Sequence, residues 1–451
     1  MSLDPLLARY ARPVPRYTSY PTAPYFSRLA NDARYGEWLK ALPAGAEETS
    51  LYLHVPFCSA LCLFCGCHTT VVNKPRPIAA YAATLRAEIA LLAQAIGRPL
   101  VVRHLHWGGG TPTMLGPSEL ILTMDTLARH FILAEDAEIA IEIDPRTLSR
   151  EMVEALREMG ATRASLGVQD FDPLVMDTVH RPQPFEEVAE AVLSLRGAGI
   201  AGINFDLMYG LPYQSEESVA RTARRALELD PDRIAVFGYA HVPWVKRHQR
   251  LLPEAALPDL SARYRQREAA ARALTESGYI PVGLDHFARP GDALAAAAAS
   301  GSLRRNFQGY TTDMAPVLLG LGTSAIGALP HAYVQNAPRI PEWSEAVRAR
   351  RLPAERGIVL SAEDQLRREV IEGVMCRLEV DLAATAEKHG ASLESLLTPR
   401  LAAFAEDGLI AWDGRRLKVA EKGRPFLRAV AALFDAYYRP EDGLSRYSLG
   451  I

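Results

Sequence analysis

Residues 51–68 read LYLHVPFCSALCLFCGCH: an apolar run, Leu51–Val55, and then four cysteines in the spacing C-x3-C-x2-C-x-C. The fifth cysteine, Cys376, lies far along the chain. A short apolar run ending in metal-ligating residues is the pattern of a strand that delivers a site from its carboxyl end. Three thiolates from one tight loop can hold three corners of an iron–sulfur cube and leave the fourth iron open, so that it binds and reduces a ligand. Zinc is the alternative occupant, although zinc sites usually draw on two separated ligand pairs.

Working outward, further apolar runs occur at Val102–Trp107, Ile139–Ile143, Ala164–Val168, Gly202–Met208 and Ile234–Tyr239. Helix-like stretches lie near 77–95, 117–131, 149–159, 184–198, 215–229 and 260–277. Ser118 after Pro117, and Ser215 before Glu216 and Glu217, read as helix starts. Strand and helix alternating at this interval predict an α/β fold, a partial (β/α)6 three-quarter TIM-like barrel, with a doubly wound sheet as the competing architecture. Residues 1–47, rich in Pro and Tyr, read as an N-terminal extended arm, and the barrel is expected over 48–345. A small C-terminal, mainly helical domain is expected over 355–451, with a wing-like hairpin at Asp407–Arg415 and a last helix near 424–438.

The unusual residues fall where these strands end. Gly108-Gly109-Gly110-Thr111 follows the second run; Glu142 and Asp144 close the third, Gln169 and Asp170 the fourth, Asp206 the fifth, and Tyr239 and His241 the sixth. In a barrel all six ends open on one mouth. Three glycines after a strand suit close approach of a ligand to the backbone, though a tight turn would use them too. Glu142 and Asp206 suit hydrogen bonds to hydroxyls or an amine. His54, His104 and His106 alternate with apolar residues and read as packed or hydrogen-bonded histidines. Gly320-Leu321-Gly322-Thr323-Ser324-Ala325 imitates a dinucleotide fingerprint, but Pro330, Pro338 and Pro341 break the strand-helix context such a site needs.

Cys58-x3-Cys62-x2-Cys65, with Phe64 before its last cysteine, resembles the signature of the radical S-adenosylmethionine superfamily. PRYTSYPTA, CGCH, HWGGGTPT, SLGVQDFDPLVMDTVHRPQ, INFDLMYGLPYQ, FGYAHVPWVKRHQ and RNFQGYTT resemble, more narrowly, the oxygen-independent coproporphyrinogen III oxidase family, from residue 15 to the terminal helices. The resemblance implies a 4Fe–4S cluster on Cys58, Cys62 and Cys65, with Cys67 outside the ligand set. It implies two molecules of S-adenosylmethionine. The first would meet Tyr52, Gly109 and Glu142; the second would meet Phe64, Gly110, Thr111, Gln169, Arg181, Asp206, Ala240 and Ile326. Tyr52, Gln308, Ile326 and Cys67 count as catalytic positions, with Gln308 and the arm near the substrate. The implied activity is anaerobic oxidative decarboxylation of two propionates of coproporphyrinogen III to vinyl groups, fed by an external flavodoxin-like or ferredoxin-like reductant. Leu63 and Met114 stand where relatives often carry aromatic residues. A haem-binding chaperone of the same superfamily is the alternative; such relatives generally lack the equivalent of Cys67 and the PRYTSYPTA arm.

The 451-residue chain carries 50 Lys and Arg against 53 Asp and Glu, for a net charge of -3, which argues against bulk nucleic-acid binding. Arginine outnumbers lysine 44 to 6, so no single arginine is informative by itself. No stretch reads as a spanning helix or signal peptide, and clustered cysteines suit a reducing interior. The expectation is a cytoplasmic monomer.

Overall fold

The computed structural model describes residues 4–29, 33–43, 47–439 and 447–450. Six strands carry the runs identified above: β1 (Glu48–Val55), β2 (Val101–Gly109), β3 (Ile132–Ile143), β4 (Arg163–Gln169), β5 (Gly202–Tyr209) and β6 (Arg233–Gly238). Each is followed by a helix: α1 (Pro75–Ile96), α2 (Pro117–His130), α3 (Arg150–Glu158), α4 (Phe185–Gly197), α5 (Glu216–Leu227) and α6 (Leu260–Glu276). Ser215 caps α5, accepting from the Ser218 amide. At α2 the expected cap is different: Gly116 takes the N-cap position, Pro117 begins the helix, and Ser118 makes no capping bond.

Strand order decides between the two architectures. β7 (Val317–Leu321) pairs in parallel with β1, and β1 to β6 then pair in sequence order. A doubly wound sheet would reverse direction at its middle. An unreversed order is the singly wound path of a barrel, with its helices on one side. The barrel stays open. Antiparallel strands His286–Ala288 and Ile280–Val282 extend the β6 edge. β8 (Ile326–Leu329), β9 (Ala332–Asn336), β10 (Ala354–Val359) and the pair Ser27–Arg28 extend the other. Gly320 to Ala325 is accordingly the end of a strand and the turn into a hairpin.

Strand periodicity sorts side chains between two environments. In β5, Ile203, Phe205, Leu207 and Tyr209 are buried toward the helices, whereas Asn204, Asp206 and Met208 are half-buried and face inward. The outer face joins Leu53, Trp107, Ile141 and Leu166 to Leu85, Leu127, Leu156 and Leu274 in one apolar core. Each such side chain contributes on the order of 1.5–3 kcal/mol by leaving water. The inner face is polar: Ser50, His104, Glu138, Arg163, Asn204 and Arg233 line a cavity of about 220 Å³ that reaches up to Glu142, Asp206 and Gln308.

The N-terminal stretch is not uniformly extended: it is helical at Asp4–Tyr10 and Ala33–Lys40, turns in a 3-10 form at Ala23–Tyr25, and bridges Leu449 at Pro13. A second core unites Leu6, Tyr10, Tyr17 and Tyr20 with Val370, Phe404, Phe426 and Phe434. The C-terminal region has helices Ala362–Glu372, Leu382–Lys388 and Arg400–Glu406. Its hairpin strands, Ile410–Trp412 and Arg416–Val419, form a small sheet with Glu379–Asp381. The expected last helix near 424–438 is shorter, Leu427–Ala431: Pro425 lies in a 3-10 turn that delays its start, and the chain turns out of the helix after Ala431.

Candidate active site

The cysteine loop leaves β1 through Pro56 and is pinched at its base. Phe57 and Cys58 pair with Thr70 and Val71, the Thr70 amide donates to the Pro56 carbonyl at 2.6 Å, and the Val72 amide donates to Cys58 at 3.1 Å. Inside the loop, the Cys65 amide donates to the Cys62 carbonyl at 3.1 Å, and the Leu63 amide reaches Val179 at 2.9 Å. A segment after β6 holds its far side: Gln249 Nε2 donates to the Phe64 carbonyl at 3.1 Å, His248 Nε2 bonds the Cys65 carbonyl at 2.8 Å, and Lys246 Nζ donates to the Cys67 carbonyl at 2.7 Å. The same Gln249 amide also reaches the Ala240 carbonyl at 3.1 Å, which brings Phe64 and Ala240 together. Nothing in the composition of FGYAHVPWVKRHQ marked Gln249 as a clamp; the signal was only its place just past a strand end.

All four thiols are free: Cys62 is buried, Cys58 and Cys65 are half-buried, and Cys67 is exposed. Among the described residues no three Cys, His, Asp or Glu side chains converge as a single ion would require. Thr111 Oγ1 and Arg181 Nη1 each lie 3.7 Å from a sulfur, those of Cys58 and Cys62, as donors suited to thiolates. Burial pushes the Cys58 thiol up to about 11, against the Thr111 bond. The closeness of Cys65 and Cys67 holds the Cys65 thiol below the usual thiol range and raises that of Cys67. Soft sulfur donors in one loop, with cationic and hydroxyl donors behind them, fit an iron–sulfur cluster.

The glycine run forms the wall beside this loop. A Cβ at 108 would come within 2.8 Å of Glu142 Oε1 and 2.9 Å of the Tyr52 ring; one at 109 would meet His54 Cε1 at 2.8 Å. Gly109 also has φ of +121°, a conformation only glycine adopts readily. Its amide donates to Glu142 Oε2 at 3.0 Å, while His106 Nε2 lies 3.2 Å from Oε1 and stacks on Tyr52. Tyr52 OH and the His68 carbonyl hold the two nitrogens of His54 at 3.0 and 3.1 Å. Burial lowers His54 to about 4, so it is neutral, donating from Nε2 to His68 and accepting from Tyr52. His54 and His106 are thus hydrogen-bonded positioning groups, while His104 Nε2 lies 3.9 Å from Asp313.

Beside Cys62, Arg181 bonds Asp144 at 3.1 and 3.2 Å and the Gly167 carbonyl at 2.7 Å, and Arg146 grips the same carboxylate at 2.6 and 3.0 Å. Burial opposes the charge of Asp144, but the Arg146 bond and both guanidinium charges hold it below the usual carboxylate range. Gln169 adopts φ of +67° at the end of β4, beside Gly167. Its neighbour Asp170 proves to be scaffolding: fully buried, it accepts from the amides of Phe171 and Asp172 and from Gln214 and Thr222. Ile326 begins β8 with its backbone against Gly320, which pairs with Tyr52 of β1, and packs with Phe26, Phe307 and Tyr333.

Asp206 is pushed up to about 7 by burial and by the charge of Glu142. A carboxyl whose folded pKa exceeds its unfolded one lends stability at low pH and loses it as pH rises toward 7. The full linkage is roughly 4 kcal/mol at ~1.4 kcal/mol per unit, and screening in a water-accessible cavity leaves about 2 kcal/mol. Cofactor-free Asp206→Asn protein should therefore gain about 2 kcal/mol over wild type between about pH 4 and about pH 8 in urea melts. A constant difference across that range would refute the reading.

The open barrel with a cysteine loop at its mouth places the chain in a class: a profile described as the radical SAM superfamily matches residues 52–226, and one described as the HemN C-terminal domain matches residues 360–426. The chain is 52% identical over 429 residues to the oxygen-independent coproporphyrinogen III oxidase of Bradyrhizobium diazoefficiens, covering 95% of each. It is 38% identical to the Salmonella typhimurium protein of that name, covering 98% of this chain and 97% of the relative. The solved structure of coproporphyrinogen III oxidase from Escherichia coli, described as a radical SAM enzyme, superposes with a TM-score of 0.90 at 38% identity, covering 97% of this chain and all of that one. The chain belongs to the oxygen-independent coproporphyrinogen III oxidase family.

Proposed function

We propose that this chain converts coproporphyrinogen III to protoporphyrinogen IX without oxygen, decarboxylating two propionate side chains to vinyl groups in haem biosynthesis. The observation that carries the reading is likeness over the whole chain to enzymes of that name, joined to a sulfur-rich loop on a polar barrel mouth. In this reading Cys58, Cys62 and Cys65 hold a 4Fe–4S cluster. Tyr52, Gly109 and Glu142 receive one S-adenosylmethionine. Phe64, Gly110, Thr111, Gln169, Arg181, Asp206, Ala240 and Ile326 surround a second. When bound, these cofactors supply a 5′-deoxyadenosyl radical able to take hydrogen from the β-carbon of a propionate.

The protein's own part is placement and exclusion. Glu142, tied to the Gly109 amide, offers a carboxylate to a ligand amine at the glycine wall. Arg181 sets a positive charge behind Cys62, 3.7 Å from its sulfur, where it complements a sulfur-bound anionic group. Gln308 lies on the cavity that also contains Glu142 and Asp206, in position to touch substrate there, while its neighbour Phe307 packs in one apolar cluster with Ile326. Cys67 is outside the ligand set and counts as a catalytic position. A flavodoxin-like or ferredoxin-like protein supplies electrons, and the enzyme works as a cytoplasmic monomer. No helix among the described residues is long and apolar enough to cross a membrane.

The test is turnover. Protein purified without oxygen and given S-adenosylmethionine, dithionite and coproporphyrinogen III should yield protoporphyrinogen IX, read as its fluorescent porphyrin after oxidation. An intact cluster with no such product, together with tight haem binding, would favour the carrier reading instead.

A further inference from the structure

A second cavity of about 180 Å³ lies where the N-terminal arm, the barrel mouth and the C-terminal region meet. It shares Phe237 and Gln308 with the polar lumen, so the two spaces adjoin. Its walls carry the guanidinium groups of Arg16, Arg267, Arg305 and Arg428, and among the described residues its one acid is Asp285. Arg267 is engaged by Glu268, and Asp285 bonds His286 Nδ1 at 2.7 Å.

Arg305 has the least compensation. Its side chain is only 7% exposed, and its nearest carboxylate oxygen, on Asp285, is 4.0 Å from Nη1. Nε and Nη1 have no hydrogen-bond acceptor. The Tyr310 ring lies under the guanidinium at 4.4 Å and stabilises the cation. A buried guanidinium with idle donors is costly unless an anion joins it. Arg428 is differently employed: Nε donates to the Pro15 carbonyl at 2.9 Å and Nη1 to Leu449 at 2.8 Å, fastening the arm that carries Arg16. Burial and the nearby charge of Arg16 depress Arg428 to about 9, a sign of how positive the chamber is.

We propose that this chamber is a carboxylate subsite, in which Arg305 and Arg16 grip a propionate of the tetrapyrrole while the ring reaches past Gln308 toward Glu142 and Asp206. The proposal rests on the substrate class inferred above. It adds the anchor: residues distant in sequence, from the arm and from the barrel, clasp one anionic group. An extended polyacid held at one edge would present another edge to the lumen in a defined orientation.

Equilibrium binding tests this without requiring turnover. Coproporphyrin III, followed by its fluorescence on the holoenzyme, should bind at least about tenfold more weakly to Arg305→Met and to Arg16→Met, the loss expected when a charge-assisted bond goes. Arg305→Lys, which keeps the charge, should retain most of the affinity. The uncharged tetramethyl ester should bind wild type and variants equally. Arg16 is exposed, so its variant tests the idea even if the buried Arg305 variant fails to fold. Unchanged coproporphyrin III affinity in Arg16→Met, or equal losses for acid and ester, would overturn the subsite. Arginine-dependent binding in a protein that makes no product would count against the proposed activity and leave the subsite standing.

Discussion

Cys62→Ser protein, prepared without oxygen and reconstituted with iron and sulfide, is expected to lose the absorption of the cluster and at least about 10³-fold of its turnover. Cys62 is the most enclosed thiol of the loop, 8% exposed, with Arg181 behind its sulfur and its own carbonyl bonded to the Cys65 amide. The loop cannot shift to offer another ligand without breaking those bonds. Serine is a poor substitute because its hydroxyl stays protonated near neutral pH and oxygen is a harder donor than iron–sulfur clusters prefer. Cys67→Ser is the informative contrast. That residue is exposed and lies outside the proposed ligand set, so iron content should stay near wild type. Iron retained with full turnover in Cys62→Ser would contradict the assignment, as would loss of iron from Cys67→Ser.

Gly110→Ala should be nearly as damaging, by a steric route. The added methyl carbon would stand 2.5 Å from the Phe57 carbonyl oxygen and 3.0 Å from Cys58 Sγ. The first obstacle is backbone, held in place because the Thr111 amide donates to that same carbonyl at 2.7 Å. Strand end and cysteine loop must therefore separate. Misplacement on the order of 1 Å at a reacting centre costs about 10²-fold in rate, and overpacking costs roughly 1–3 kcal/mol of stability. We expect turnover down about 10²-fold, lowered iron and a modestly lowered melting temperature. Gly66→Ala is the matched control in the cysteine loop, where a methyl group meets nothing within 4 Å. Near-normal iron and rate in Gly110→Ala would show that the wall yields more easily than its contacts imply.

Chemistry carried by covalent neighbours was legible before any coordinates. The four cysteines, Gly108 to Gly110, and the acids at strand ends depend on short-range order, and strand alternation alone puts Asn204 and Asp206 on one face and Phe205 on the other. Where local rules competed, the reading slipped. Ser118 looked like a cap, yet Gly116 and Pro117 start α2. Asp170 looked like a mouth residue until its four donors placed it in the scaffold.

Periodicity and spacing in one dimension are thus enough for strands, helices and a cysteine-rich loop at a strand end, since each arises within a few residues. The parallel order from β7 through β6 needed the folded chain, because pairing energy is gained between segments whose separation along the chain carries no information about adjacency. So did the clamp of Gln249 on Phe64 and Ala240, and the meeting of Arg16 with Arg305 and Arg428. In a chain with 44 arginines none of those three is distinguishable by type. Only burial beside a cavity, with donors left idle, sets Arg305 apart from a solvated surface charge.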